Sequence, residues 1–196
     1  MCASFHGAQA LQFVRSDIAP LARMHYSMCA IIRNRMKIAV AADHAGFPLK
    51  ARVIEEVCKL GHDVFDLGTH STDAVDYPDY ARAVAEAIRD GAADRAILIC
   101  GSGAGACVAA NKFRGVRAAI CHDTFSAHQG VEGDGMNVLC LGARVIGPEL
   151  AAELVSTYLN AHFSDIERHR RRVTKVEQFE EEFRFEPPTA ATREIR

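Results

Sequence analysis

Short apolar runs alternate with amphipathic segments along the chain from residue 37 onward. The runs predict five strands, at 37–42, 64–67, 96–99, 116–121 and 137–141. Helices are predicted between and after them, at 47–60, 79–89, 104–112, 124–131 and 148–160. Strands that alternate with helices form parallel sheets with right-handed crossovers and with helices on both faces. The pattern therefore predicts a three-layer α/β domain of the doubly wound, Rossmann-like class, built on a five-stranded parallel sheet.

The two ends of the chain differ from this pattern. Residues 1–35 carry four arginines among Ala, Ser, Met and His, with Asp17 as the only acid. That composition is typical of a transit peptide or of translation from an upstream start codon, and we favour the second because Met36 directly precedes the first strand. We expect residues 1–35 to be a disordered extension, residues 36–184 to fold, and residues 185–196 to be a disordered tail.

Composition narrows the class of protein. A chain of 196 residues with 49% hydrophobic and 24% charged residues can bury one sizeable core. Its formal net charge of -2 gives no overall attraction to nucleic acid or to an anionic membrane, and no apolar stretch is long enough to span a bilayer. The seven cysteines include no Cys-x-x-Cys pair with zinc spacing, and no secretory signal is evident. We therefore expect reduced thiols, a cytoplasmic location, and no metal or nucleic-acid partner.

The third predicted strand ends in a glycine-rich loop. Cys100 closes the strand, Gly101, Gly103 and Gly105 alternate after it, and small residues then begin a predicted helix. Glycine lets the backbone approach a ligand closely, and a helix N-terminus presents unpaired N–H groups that bind anions and stabilise a thiolate. The loop is predicted to be an anion cradle with a nucleophile or base, Cys100, at its edge. A buried cysteine beside a structural turn is the alternative interpretation.

Polar residues also follow two other predicted strands. Asp43-His44 comes after the first strand, and Cys121-His122-Asp123 comes after the fourth. In a doubly wound sheet, ligands bind beyond the carboxyl ends of the strands, near the point where the strand order reverses. We therefore expect Asp43 and His44 to lie beside the Cys100 loop, although an Asp-His pair can also be a helix cap or a turn.

A dense basic run, Arg168–Arg172, follows the last predicted core helix. If the run is helical, Arg168 and Arg172 share one face and can both bind a single phosphate; a solvated charged surface is the alternative. Residues 173–184 then predict a polar amphipathic helix as a C-terminal extension of the domain. We expect this helix to pack on a partner subunit through Val173, Val176, Phe179 and Phe183.

Taken together, the motifs resemble those of the ribose-5-phosphate isomerase type B family. Several separate motifs at matching spacings make this resemblance far more specific than a glycine loop alone. The matching segments run in unbroken order over about residues 36–180, at Ala42–Gly46, Val75–Tyr80, Cys100–Gly103 with Ala109–Lys112, Asn137–Leu139 with Gly142, and Arg168-His169. The resemblance implies an isomerase of the pentose phosphate pathway that interconverts ribose 5-phosphate and ribulose 5-phosphate, through a cis-enediolate, without a metal or an organic cofactor.

The resemblance also implies which residues carry the chemistry. Cys100 is the base that moves a proton between C1 and C2 of the sugar. Ser102, together with the amides of residues 101–105, holds the enediolate oxygen as an oxyanion hole. In a branch of the family that lacks this cysteine, a glutamate in the next helix is the base, and the chain has Ala106 at that position. The sequence therefore resembles the cysteine type.

Other residues are implied to bind the substrate. Asp43 and Tyr77 contact the sugar, and Asn137 polarises its carbonyl group. The phosphate group is bound by His44, Arg144, Arg168 and Arg172. Family sites lie at a dimer interface, which implies a homodimer or a dimer of dimers in which the C-terminal arginines serve the neighbouring subunit.

One position departs from the family pattern. The family usually carries a histidine before Asn137 that helps to open the sugar ring, and the alignment places Gly133 there. His122 and His128 are the nearby histidines that could replace it. Two alternative functions stay open: an isomerase of a six-carbon sugar phosphate, such as galactose 6-phosphate or allose 6-phosphate, and a sugar-phosphate-binding regulator without catalysis.

Overall fold

The computed structural model describes residues 35–183, which form five strands and six helices. The strands are β1 (Lys37–Ala42), β2 (Asp63–Asp66), β3 (Arg95–Cys100), β4 (Ala118–Ile120) and β5 (Val138–Gly142). The helices are α1 (Phe47–Lys59), α2 (Tyr77–Arg89), α3 (Ala104–Ala110), α4 (Thr124–Asp134), α5 (Pro148–Asn160) and α6 (Glu167–Glu182). Predictions that concern residues 1–34 and 184–196 lie outside the described residues.

The strands form one parallel sheet in the order β2-β1-β3-β5-β4. Helices α1, α4 and α5 bury their apolar faces on one side of the sheet, and α2 and α3 bury theirs on the other. The central strands are therefore apolar on both sides, and every residue of β5 is buried. The predicted three-layer, doubly wound α/β fold with five parallel strands is confirmed.

Most predicted elements lie within a few residues of the observed ones. The predicted strand at 116–121 is shorter, because β4 is an edge strand that pairs only with β5 over three residues. Helix α4 continues to Asp134, so that Gly133 lies in a helix and not in the loop that the sequence indicated. Helix α6 begins at Glu167 instead of residue 173, and it therefore includes the basic run.

Helix α6 extends beyond the three layers and contacts α4. Its first turn is anchored by His169, which is buried. Farther along, Val176, Phe179 and Phe183 stay about half exposed and line an apolar groove of about 640 Å³ against residues 116–119. None of the described helices is long and apolar enough to cross a membrane.

A chain that begins at Met36 is expected to match the full chain in melting temperature and in catalytic activity. All five strands and both buried cores that the structure describes are built from residue 36 onward. Thermal unfolding of the two chains, followed by circular dichroism, checks the first half of this prediction. A clearly lower melting temperature in the shortened chain would mean that residues 1–35 stabilise the domain.

Candidate active site

The candidate site lies at the carboxyl ends of β1 and β3. The segment after β1 leads into α1 on one face of the sheet, whereas the segment after β3 leads into α3 on the other. The two segments are joined where they leave the sheet, because the Asp43 amide donates to the Ile99 carbonyl oxygen (3.1 Å). On the other side of β3, the Ala143 amide donates to the Cys100 carbonyl oxygen (2.9 Å). Such a switch point opens the crevice in which doubly wound folds bind ligands.

The loop after β3 surrounds the Cys100 sulfur. Cys100 is only 4% exposed, and its Sγ accepts a hydrogen bond from the Gly103 amide (3.1 Å). Gly103 has a φ of 83°, in the left-handed region that suits glycine, and α3 begins at the next residue. Ser102 is exposed, and its Oγ accepts from the Ala104 amide (3.3 Å). An amide directed at the sulfur stabilises negative charge there, and the thiolate is the form that takes up a proton.

Asp43 and His44 form the wall of the site on the β1 side. Asp43 is buried, and its Oδ1 accepts from the Gly46 amide (2.8 Å) as the chain turns into α1. His44 is half-buried, and its Nδ1 lies 3.1 Å from the carbonyl oxygen and 3.2 Å from the amide nitrogen of Val75. The imidazole thereby ties the start of α1 to the segment that leads into α2.

Tyr77 lies against the glycine-rich loop from the side of α2. A Cβ atom at Gly105 would stand 2.9 Å from Cζ of the Tyr77 ring, so the ring fits closely over the bare backbone of that glycine. Tyr77 is 40% exposed. The absence of a side chain at Gly105 therefore has a packing reason.

Arg144 approaches the same loop from β5. Its amide donates to the Gly101 carbonyl oxygen (2.9 Å), and its Cζ lies 3.6 Å from the position that a Cβ at Gly101 would take. With His44 it lines a cavity of about 460 Å³, whose remaining walls are mainly apolar residues of the α1 and α5 N-termini. A guanidinium group and an imidazole at the edge of one cavity are a suitable pair for an anionic group such as phosphate.

The structure does not bring Asn137 to this crevice. Asn137 precedes β5 at the amino edge of the sheet, and its carbonyl oxygen accepts from the amide of Ala96, near the start of β3. Its side-chain oxygen accepts from the Arg117 amide (2.8 Å), and its side-chain nitrogen donates to the Gly115 carbonyl oxygen (2.8 Å). The expectation that Asn137 polarises the substrate carbonyl is corrected: its amide stabilises the loop before β4, at the opposite end of β3 from Cys100.

Arg168 and Arg172 also lie away from the Cys100 loop of their own subunit. Both are exposed on α6, four residues apart on one helix. Arg168 Nε donates to the His169 ring at Nε2 (3.1 Å), and Nδ1 of that ring lies 2.6 Å from Ser164 Oγ. The two arginines keep the shared face that the sequence predicted, and they can reach a Cys100 loop only if that loop belongs to a second subunit.

The histidines near Gly133 have different surroundings. His128 is exposed and faces Glu132 (3.5 Å) on the outer side of α4. A Cβ at Gly133 would stand 2.7 Å from the Gln129 side-chain nitrogen and 3.8 Å from Cε1 of His169, so Gln129 and an imidazole from α6 both lie beside Gly133. Sequence reasoning missed the imidazole because α6 begins earlier than the pattern indicated.

His122, like His169, makes a structural contact that the sequence analysis did not predict. It lies at the carboxyl end of β4, and its Nε2 accepts from the Gly142 amide (3.1 Å). Gly142 is tightly packed on the glycine-rich loop, since a Cβ there would be 2.6 Å from the Ser102 carbonyl oxygen. His122 therefore supports the backbone under the glycine-rich loop. Its position after a strand was the signal that could have predicted this contact.

Comparison with known proteins assigns the family. A model of the ribose/galactose isomerase family matches residues 38–176, which include the five strands except for Lys37 at the start of β1, and every residue of the crevice described above. The chain belongs to the ribose/galactose isomerase family. Within the part of the chain that the structure describes, no group of three or more His, Cys, Asp or Glu side chains is placed to hold a metal ion.

Individual members of the ribose/galactose isomerase family are similar over nearly their whole length. The chain is 42% identical over 145 residues to ribose-5-phosphate isomerase B of Escherichia coli, covering 74% of this chain and 97% of that protein. It is 44% identical over 129 residues to D-erythrulose-4-phosphate isomerase of Pectobacterium atrosepticum, covering 65% of this chain and 85% of that protein. The structure of Clostridium thermocellum ribose-5-phosphate isomerase B matches with a TM-score of 0.73 at 43% identity, covering 76% of this chain and 99% of that one. The chain is therefore a sugar-phosphate aldose–ketose isomerase.

Proposed function

We propose that the chain interconverts ribose 5-phosphate and ribulose 5-phosphate, as the names of its relatives in Escherichia coli and Clostridium thermocellum suggest. The observation that carries the proposal is the contact between the Cys100 sulfur and the Gly103 amide inside the glycine-rich loop, with Asp43, His44 and Arg144 around it. This arrangement combines a proton-transfer group with amide donors and an anion-binding edge. A regulator that only bound sugar phosphates would need the last two features but not a thiol.

In the proposed mechanism, Cys100 acts as the base. Its thiolate removes the proton from C2 of the open-chain aldose and returns it to C1, with a cis-enediolate between the two steps, while the hydroxyl proton on O2 passes to O1. Backbone amides of residues 101–105 and the Ser102 hydroxyl are proposed to stabilise the negative charge that the enediolate oxygen gains, as an oxyanion hole. The Gly103 contact keeps the sulfur in place for both transfers.

Substrate binding is proposed to use groups from two sides. Asp43 Oδ1 accepts a hydrogen bond from the Gly46 amide, so its other carboxylate oxygen is proposed to bind a sugar hydroxyl. The Tyr77 ring, which lies over Gly105, is proposed to cover the sugar. His44 and Arg144 bind the phosphate group at the edge of their cavity. Arg168 and Arg172 complete the phosphate site from a second copy of the chain. The half-exposed apolar side chains of α6 favour the same homodimer, because they need a partner surface to become buried.

The ring-opening step is proposed to differ from that of relatives with a histidine at the position of Gly133. His122 uses Nε2 to accept from a backbone amide, and His128 faces Glu132 on the outer side of α4. His169 is the imidazole that lies beside Gly133. We infer that neither His122 nor His128 takes the place of the missing side chain.

A substrate series tests the proposed function. We expect kcat/KM for ribose 5-phosphate to exceed that for D-erythrulose 4-phosphate and for allose 6-phosphate by at least about tenfold, a difference of about 1.4 kcal/mol in transition-state binding. The erythrulose substrate is included because a relative with 44% identity carries that name. A higher kcat/KM for either of the other sugars would assign the chain to that substrate instead.

Replacement of Arg168 and Arg172 by alanine together is expected to raise KM for ribose 5-phosphate by about a hundredfold or more, since each lost charged hydrogen bond costs about 1.5–3 kcal/mol and about 1.4 kcal/mol is tenfold. Turnover of unphosphorylated ribose should change much less. Arg170→Ala with Arg171→Ala is the matched control, because it removes the same charge from the same helix but from residues that pair with Asp165 and Glu167. Equal effects of the two double variants would mean that Arg168 and Arg172 are part of a solvated charged surface and do not bind phosphate.

A further inference from the structure

Helix α6 carries one buried histidine among its exposed arginines. His169 is 9% exposed, whereas Arg168, Arg170 and Arg171 on either side of it are exposed. The ring lies beside α4, since a Cβ at Gly133 of that helix would stand 3.8 Å from His169 Cε1. The missing side chain at this glycine therefore leaves room for the imidazole between the two helices.

The hydrogen bonds of His169 determine where its ring proton lies. Arg168 Nε donates to His169 Nε2 over 3.1 Å. Because a guanidinium nitrogen only donates, Nε2 must be the ring nitrogen without a proton. The proton of the neutral ring is then on Nδ1, which lies 2.6 Å from Ser164 Oγ and donates to it. The two contacts together require a neutral imidazole that carries its proton on Nδ1.

Ser164 is in turn tied to helix α4. Its amide donates to the carbonyl oxygen of Glu132 (3.1 Å), in the last turn of that helix. A continuous series of hydrogen bonds thus leads from the α4 backbone through Ser164 and His169 to the side chain of Arg168. The orientation of this guanidinium group is therefore set by α4 as well as by α6.

Arg168 is held in a way that keeps its charge and its terminal nitrogens open to a ligand. Arg170 and Arg171 each donate through a terminal nitrogen, Nη1, to a carboxylate, that of Asp165 at 3.3 Å and that of Glu167 at 3.2 Å. Arg168 instead donates through Nε to a neutral ring, and in the described part of the chain its terminal nitrogens have no hydrogen bond or ion pair. A neutral acceptor does not cancel the positive charge, and the terminal N–H groups can still bind a phosphate group.

We propose that His169 is a positioning residue for phosphate binding. Neutral and protonated on Nδ1, it holds Arg168 through Nε2, so that the terminal nitrogens of Arg168 are presented to the phosphate group in the site of a second copy of the chain. His169 touches no substrate, and it acts by reducing the freedom that the Arg168 side chain must lose when phosphate binds. The inference rests on the proposed phosphate role of Arg168.

The ring proton is tested without an activity assay. Proton–nitrogen NMR of the isotopically labelled full chain at neutral pH shows which ring nitrogen of each histidine carries the proton. We expect the His169 signals, assigned through its backbone resonances, to show the proton on Nδ1. A proton on Nε2, alone or together with one on Nδ1, would overturn the proposal, because Arg168 cannot donate to a protonated nitrogen. This measurement needs no variant that could fail to fold.

Two substitutions separate the contact with Arg168 from the packing of the ring. The side-chain amide of asparagine takes about the place of Nδ1, and that of glutamine takes about the place of Nε2, so only His169→Gln keeps an acceptor for Arg168. Both variants lose the ring beside Gly133. We expect KM for ribose 5-phosphate to rise by about two- to tenfold in His169→Asn, the usual cost of ordering one freed side chain, and to rise clearly less in His169→Gln. In both variants kcat should change less than KM, because the reacting atoms are untouched.

The effect must also depend on Arg168. In a chain that already carries Arg168→Ala, His169→Asn should raise KM no further, because the side chain that it positions is gone. Equal rises in His169→Asn and His169→Gln, or a further rise in the Arg168→Ala chain, would overturn the proposal and make His169 a packing residue. An unchanged KM in Arg168→Ala itself would contradict the phosphate role on which the inference rests. That failure is distinguishable, because the proton would still be found on Nδ1 of His169.

Discussion

Cys100→Ala is expected to lower kcat by about 10²- to 10⁴-fold, the usual contribution of a general base, while leaving the dissociation constant for ribose 5-phosphate nearly unchanged. The thiol is 4% exposed and is held by the Gly103 amide at the edge of the crevice. In the proposed mechanism, its removal takes away the group that moves the proton but leaves the amides of the loop and the cationic groups proposed to bind the phosphate. Turnover is measured by steady-state assay, and binding by calorimetry.

Cys121→Ala is the matched control for this variant. Cys121 is also a buried cysteine at the carboxyl end of a strand, but its sulfur belongs to the core on the other face of the sheet. Both variants remove one buried sulfur, so a general loss of packing should affect them alike. A similar kcat for Cys100→Ala and the unchanged chain would remove Cys100 from the mechanism, and equal losses in the two variants would indicate a packing effect.

Gly46→Ala is expected to lower the free energy of unfolding by about 3 kcal/mol or more, at the upper end of the usual cost of overpacking. A Cβ at this position would stand 2.4 Å from the carbonyl oxygen of Ile99 and 3.0 Å from the amide nitrogen of Cys100. Both atoms belong to the backbone of β3, which cannot move aside as the end of a side chain could. The substitution must therefore push α1 away from the strand that carries Cys100, and activity should fall with stability.

Gly147→Ala supplies the comparison. Gly46 and Gly147 each precede a helix that begins with a proline in its first turn, and both have a φ of -85°. A Cβ at Gly147 meets nothing within 4 Å, so its replacement should change stability by less than about 0.5 kcal/mol. Urea denaturation of the two variants measures the difference. Similar midpoints would contradict the close contact between α1 and β3.

The fold and one half of the site could be predicted because they depend on local pattern and on the direction of the strands. Apolar runs separated by helical segments define a parallel sheet, and the carboxyl ends of its strands then define where Asp43, His44 and Cys100 meet. The link from His44 to Val75 could not be predicted, because it depends on how a long segment between β2 and α2 folds back on the start of α1.

Two predictions were wrong, the end of helix α4 and the role of Asn137, and each error has a physical explanation. Helix α4 contains Gly130 and Gly133, and since glycine disfavours a helix interior, the pattern indicated that the helix ends before residue 133. The role assigned to Asn137 came from resemblance alone. A residue that starts a parallel strand lies at the edge of the sheet opposite to the ligand crevice, so the predicted strand at 137–141 already argued against that role.

The most direct test of the account is to follow ribose 5-phosphate isomerisation in deuterium oxide by proton NMR. If Cys100 carries the proton between C2 and C1, its thiol exchanges with solvent, and ribulose 5-phosphate should carry deuterium at C1. Continued turnover should then place deuterium at C2 of the remaining ribose 5-phosphate, and Cys100→Ser should slow both processes together. Product without carbon-bound deuterium would indicate direct hydride transfer, and labelling by Cys100→Ser at the unchanged rate would assign the proton transfer to another residue.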